Sequence, residues 1–237
     1  MKDAVIVVVK DGLTVFGCDI SLNHGAVVVL EASLKQEPAK PQIQAMRFFT
    51  DKKKYSKADG GTHLELSKGL DHDQKTMSRL AKVQAWYAAL LREFLPDIIG
   101  VEGYAFSRAN QAHQLGEVGG MVRLTTFNDG RSLRIHDPAT LKLFATGKGN
   151  ATKDEVRDAV HDDWNYFWTT FNLQQEDYEP RVLEDFADAY TLAQMVVVEA
   201  RLRCGSTTLS QLEPHQIRAF NRVTKVNPVN LLVREWT

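Results

Sequence analysis

Only two cysteines occur in the 237 residues, Cys18 and Cys204, too few for a disulfide framework and without the paired spacing of a zinc site. This excludes a stapled secreted scaffold and fits a reducing compartment. No apolar run approaches the roughly 20 residues of a membrane-spanning helix. The apolar start AVIVVV, residues 4–9, lies between Lys2/Asp3 and Lys10/Asp11 and lacks a small-residue cleavage site, so it reads as a strand and not as a secretory signal. Low-complexity segments are absent as well, and 43% hydrophobic with 25% charged residues is a globular composition. The expectation is a folded cytoplasmic protein with a sizeable core and no membrane partner. Net charge is also lacking: 29 basic residues against 30 acidic ones give −1, so there is no global attraction to nucleic acid.

What is present is local. From Arg201 onward six basic residues (Arg201, Arg203, Arg218, Arg222, Lys225, Arg234) face two acidic ones (Glu213, Glu235), and DKKKYSK at 51–57 is a second basic cluster. Each is a solvated face or a contact surface. Along the chain, Asp11-Gly12 marks a turn before a β-rich run ending near Asp19. Asn23-His24-Gly25 then leads through a hairpin into GAVVVLEAS, and AMRFFTD reads as a further strand. Residues 33–43 and 54–74 read as loops. Met77, Leu80, Val83, Tyr87, Leu90, Leu91 and Phe94 recur at helical spacing over 74–95, and Pro96 ends that helix. PDIIGVEGYAF is a buried strand, 110–127 a helix with small residues at Gly116, Gly119 and Gly120, and RSLRIHDP another strand. Pro138 begins the short helix PATLKLFAT. Thr152 and Glu155 form a capping box for a helix running to about Trp168, and a last helix spans about 184–203. The order implies an α/β protein in which antiparallel hairpins and parallel crossovers share one sheet.

Acidic residues stand out at three places. Asp19 closes one apolar strand, Glu102 closes another, and Asp185 with Asp188 opens the last helix, where the i, i+3 spacing puts both on one face. Carboxylates converging from strand ends can hold two divalent cations about 3.5–4 Å apart, an arrangement that cleaves phosphodiesters, and magnesium suits an all-oxygen set. Each acid alone has an ordinary explanation: turn chemistry for Asp19 beside Ser21 and Asn23, the helix dipole for Asp185 and Asp188. Glu102 is harder to explain that way, because a carboxylate between IIGV and GYAF needs a metal or a partner to offset its desolvation.

GCDIS, VEGYAF and EDFADAYTLA, in this order, resemble the RuvC family of Holliday junction resolvases. A second likeness lies in LKLFATGKGNATKDEV, where Lys142, Gly147, Gly149 and Lys153 match the family's basic, glycine-containing segment. The resemblance covers about residues 13–200. It implies an RNase H-like mixed sheet flanked by helices, in a nuclease domain at 1–203 followed by a basic extension at 204–237. It further implies a metal-dependent endonuclease that resolves four-way junctions and leaves 5′-phosphate and 3′-hydroxyl ends. Asp19, Glu102, Asp185 and Asp188 become ligands of two Mg2+ ions, with Mn2+ as a substitute. Lys142 and Lys153 become contacts to the phosphate or transition state, and Lys148 adds charge to the DNA-facing loop. Tyr104 or Phe106 becomes a ring that stacks on an unpaired base, the alternative for both being core packing. The family is homodimeric, and the helix at 110–127 is either the contact between subunits or packed on the sheet. Ile20-Ser21 replaces the Pro-Gly turn usual in bacterial members, and the extra segments at 33–73 and after 203 point to a bacteriophage-type member acting in its host's cytoplasm. Within the same fold, a nuclease for flaps or RNA/DNA hybrids is the alternative; a junction-binding architectural protein would lack an acid, and an actin-like ATPase would need a duplicated domain.

Overall fold

The computed structural model describes residues 12–35, 40–65, 69–103, 112–161 and 174–226. The AVIVVV segment, Tyr104 and Phe106 lie outside them. The expected strands form as β1 (Gly12–Ile20), β2 (His24–Ser33) and β3 (Gln42–Thr50), joined in an antiparallel meander. Beyond β3, the segment expected to be loop contains a 3-10 turn, Tyr55–Lys57, and a short strand β4 (Gly61–His63) parallel to β3. Helix α1 (His72–Phe94) then crosses to β5 (Ile98–Glu102), α2 (Ala112–Asn128) leads to β6 (Ser132–His136), and α3 (Pro138–Thr146) and α4 (Lys153–Ala159) follow. The last described elements are α5 (Pro180–Cys204) and α6 (Pro214–Val226). The six strands make one mixed sheet in the order β4-β3-β2-β1-β5-β6, with β5 parallel to both β1 and β6.

Period-2 alternation divides the sheet's side chains between two layers. Phe16, Val27, Val29, Ile99 and Leu133 pack with Tyr87 and Leu91 of α1 and Val118 and Val122 of α2. Val15, Val28, Leu30 and Ile98 pack on the other face with Phe186, Ala189, Leu192, Ala193 and Val196 of α5. This is the mixed sheet flanked by helices expected of an RNase H-like fold. Among the described residues no helix is long and apolar enough to cross a membrane.

Two helices differ from the sequence reading. Helix α4 is interrupted after Ala159, at Val160; His161 is helical again, and the expected end near Trp168 lies outside the described residues. Helix α5 begins at Pro180, earlier than expected, because Pro is suited to a helix's first turn, where its missing N–H costs nothing. Asp185 and Asp188 therefore lie beyond the first turn, and the helix dipole does not explain them. The tail past residue 203 folds back: Ala219 and Phe220 of α6 join the same core layer as α5, against α3.

Candidate active site

Two glycines determine how closely the sheet approaches α5. Gly17 of β1 and Gly100 of β5 are register partners, and both sit under the helix. A Cβ on Gly17 would lie 1.7 Å from the Ala189 carbonyl oxygen, and one on Gly100 would lie 2.9 Å from Val196 Cγ2 and 3.0 Å from the Leu192 carbonyl oxygen. No side chain fits there, so the backbones of helix and strands meet directly. Two residues further along each strand, on the same face, stand Asp19 and Glu102. They meet Asp185 and Asp188 on α5.

Asp185 and Asp188 are buried, at 3% and 8% exposure, while Asp19 and Glu102 are half-buried. Asp185 is near enough to Asp19 to raise its proton affinity. Burial, reinforced by mutual repulsion, pushes Asp19 up to about 7, Asp188 up to about 7 and Glu102 up to about 8. Asp185 is raised for the same first reason, against the pull of His24 and Lys153. The site therefore favours either protons or added positive charge.

Lys153 supplies part of that charge. It is the first residue of α4, behind the capping box in which Thr152 and Glu155 bond each other's backbone N–H, and its Nζ lies 3.6 Å from Asp188 Oδ2, 4.0 Å from Asp185 Oδ1 and 3.6 Å from Glu184 Oε2. Burial opposes the charge, but Asp19, Asp188, Asp185 and Glu184 hold its ammonium well above the ordinary lysine value. Lys142 of α3 also favours the ionised forms of Glu102 and Asp188. Lys148 points elsewhere, to Glu155 Oε1 at 2.8 Å. Asp19, Glu102, Asp185, Asp188, Lys142 and Lys153 thus gather at one end of the sheet, and Lys148 lies on the loop leading to it.

As placed, no three of the described acidic, histidine or cysteine side chains are close enough together to ligate one ion. The chemistry of the four carboxylates nevertheless suits Mg2+ or Mn2+: all donors are oxygens, all resist ionising beside one another, and they already accept an ammonium among them.

Several functional candidates went unread in the sequence. His24, taken as part of a turn, begins β2 and bonds Asp185 Oδ2 through Nδ1 at 2.5 Å. That bond raises its proton affinity although burial works against it. Next to it Glu179, buried before α5, takes bonds from Thr50 Oγ1 at 2.8 Å and Lys52 Nζ at 2.5 Å. These hold its carboxyl below the usual range against the effect of burial. The basic run at 51–57 therefore has one lysine committed to bracing α5 beside the acids. Nothing in the spacing of His24 or Lys52 signals these contacts, which join residues over 120 positions apart.

A family model described as crossover junction endodeoxyribonuclease RuvC matches residues 68–193. The match takes in Glu102, Lys142, Lys153, Asp185 and Asp188, and Asp19 lies ahead of it. The crossover junction endodeoxyribonuclease RuvC of Bifidobacterium animalis subsp. lactis is 28% identical over 100 residues, 41% of this chain and 51% of the relative. That of Prochlorococcus marinus is 26% identical over 121 residues, 51% of this chain and 70% of the relative. The chain thus spans about half the length of the first of these relatives. A solved structure titled T. thermophilus RuvC in complex with Holliday junction substrate superimposes with a TM-score of 0.55 at 20% identity, covering 81% of this chain and 97% of that one.

Proposed function

The chain belongs to the RuvC family, and on that premise we propose that it is a metal-dependent endonuclease that resolves four-way junctions in branched DNA. The observation that carries the reading is the meeting of two strand-end acids, Asp19 and Glu102, with the Asp185/Asp188 pair, around the ammonium of Lys153.

In this reading Asp19, Glu102, Asp185 and Asp188 hold two Mg2+ ions, or Mn2+ in their place. Bound there, such ions supply a nucleophilic hydroxide and charge stabilisation for the departing 3′-oxygen. The protein's own part is positioning and electrostatics. His24 fixes the orientation of Asp185 by its bond at 2.5 Å, and Glu179 with Lys52 braces the start of the helix that carries both aspartates. Lys153 partly offsets the acids' mutual repulsion, favouring their ionised forms, and in the presence of substrate neutralises the scissile phosphate, with Lys142 beside it. Tyr104 and Phe106, outside the described residues, are the candidates for stacking on an unpaired base.

Two symmetric cuts call for two active sites, and we assign a homodimer with contact through α2. Its inner face is committed to the core by Val118 and Val122. Outward it carries Leu124 and Phe127, 58% and 62% exposed, and Gly116 and Gly120, above which a Cβ would meet nothing within 4 Å among the described residues. An apolar stripe with open glycines suits close approach of a second copy. The place of action is the cytoplasm, the host's if the gene belongs to a phage.

The test is cleavage of a labelled four-way junction beside linear duplex, flap and RNA/DNA hybrid, with magnesium or chelator, for the native chain and Glu102→Gln. Paired, metal-dependent nicks in the junction, lost in the variant while binding persists, are the expected result. Cleavage confined to flap or hybrid overturns the substrate, and binding without cleavage by the native chain overturns the enzyme.

A further inference from the structure

Helix α6 belongs to the tail that exceeds the compact family form, and its placement is specific. Its apolar side is clamped to α3: Ala219 and Phe220 are buried, and the Phe220 ring meets Phe144 edge-on at 5.8 Å between centroids. This anchoring turns a basic face toward the loop at 147–149. Arg218 donates from Nη2 to the Gly147 carbonyl at 3.3 Å, and His215 packs where a Cβ on Gly147 would come within 3.5 Å of its own Cβ. One turn on, Arg222 places Nη2 3.0 Å from Asp137 Oδ2 and Nη1 3.8 Å from the position a Cβ on Gly149 would take. Gly147 closes α3 in the left-handed region at φ 79°, so the chain reverses tightly there and carries Lys148 outward. Its side chain is 64% exposed, and the same stretch continues into Lys153 among the carboxylates.

Arg218 and Arg222 are i and i+4 on one helix face and both are exposed. Packing on α3 does not need their charge, since Phe220 and Ala219 supply the contact. A guanidinium has five donors in a planar fork, so one that already holds a carbonyl or a carboxylate keeps further N–H groups for a phosphate. Asp137 and Glu155 offset part of the positive charge but also hold Arg222 and Lys148 in place, which lowers the entropy lost when a strand docks.

We propose that α6 is an added phosphate-binding element, in which Arg218 and Arg222, together with Lys148, grip the sugar–phosphate backbone of one DNA arm next to the carboxylate cleft. The inference rests on the reading of this site as a branched-DNA endonuclease and extends it to the tail. It makes the tail part of substrate capture.

The experiment uses the full chain, a fluorescent four-way junction and chelator to prevent cutting, with Kd measured across a salt series. For Arg218→Gln/Arg222→Gln, binding at about 100 mM salt is expected to weaken about tenfold, and the slope of log Kd against log salt to fall by about two, one for each lost phosphate contact. With magnesium, the loss falls on KM more than on kcat. Arg218→Lys/Arg222→Lys keeps the charges while altering the fork that reaches Gly147 and Asp137, and it is expected to keep the native slope. An unchanged slope in the glutamine variant overturns the proposal. So does a lysine variant as weak as the glutamine one, which would make the arginines braces of the loop. Should the native chain neither bind nor cut branched DNA, the reading of the whole site falls. Should it do both while the glutamine variant matches it at every salt concentration, only the role of α6 falls.

Discussion

Glu102→Gln is expected to stabilise the metal-free protein while abolishing its chemistry. Burial first, then Asp19 and Asp188, push the Glu102 carboxyl from 4.5 up to about 8. A raised acid binds its proton more tightly in the folded chain than in the unfolded one. Its favourable contribution is therefore complete below the unfolded value, near 4.5, and is lost as pH climbs through about 8. Taken alone, such a move is worth several kcal/mol, at about 1.36 kcal/mol per pH unit. Asp19 and Asp188 share the same repulsion and relax once one charge is gone, so the variant should recover on the order of 2 kcal/mol. For a chain of this size that is a rise in Tm of about 4–8 °C. The assay is thermal unfolding followed by circular dichroism in chelator. At pH 8 the variant should melt above the native chain, and near pH 5, where Glu102 is protonated, the two should coincide. Magnesium at pH 8 should raise the native Tm and leave the variant nearly unmoved. A variant that melts lower than the native chain at pH 8 in chelator would refute the reasoning, because Glu102 would then be held by Lys142 and Lys153 more than it is repelled by its neighbours.

Gly17→Ala places a Cβ 1.7 Å from the Ala189 carbonyl oxygen; the strand or α5 must move, and a loss of at least about 3 kcal/mol is expected together with cleavage, read by denaturant unfolding. Unchanged stability would mean that the sheet does not meet α5 at this point. Leu124→Lys with Phe127→Lys is expected to leave a folded monomer, seen by light scattering, since in the proposed dimer two apolar contacts are replaced by like charges facing each other across a twofold axis; a dimer of undiminished stability would move the interface off α2.

Much of the fold was legible because its elements carry strong local signals. Helix α1 shows helical spacing from Met77 to Phe94 and ends before Pro96, and the β strands are apolar runs bounded by turns. The acids were legible for a related reason: Asp19 and Glu102 are charges that end such runs, and the helix aspartates repeat at a spacing that puts them on one face. Gly17 and Gly100 were in view too, each two residues ahead of its acid, but their meaning depends on the 1.7 Å and 2.9 Å clearances at α5. No local pattern encodes those distances. Strand β4 was missed because Gly61–His63 is three residues long with Thr62 as its one strand former; parallel pairing with the edge of β3 creates it. The start of α5 was misread although Glu179-Pro180 contains an ordinary helix-start signal.

The residues that sequence reasoning missed share one property: each acts by reaching across the fold. His24 comes from the start of β2 to Asp185, and Lys52 and Thr50 come from the end of β3 to Glu179. Together they tie the first hairpin to the helix that carries both aspartates. Four carboxylates that repel one another need such ties, because without a cation the least costly response is for α5 to tilt away from β1. Packing through Gly17 and Gly100 resists that tilt along the middle of the helix, and the His24 and Glu179 bonds resist it at the end where the acids lie. The strain of a site prepared for positive charge is thus carried in part by groups distant in sequence, and for that reason the acids and Lys153 could be read from the sequence while the ties through His24, Thr50, Lys52 and Glu179 could not.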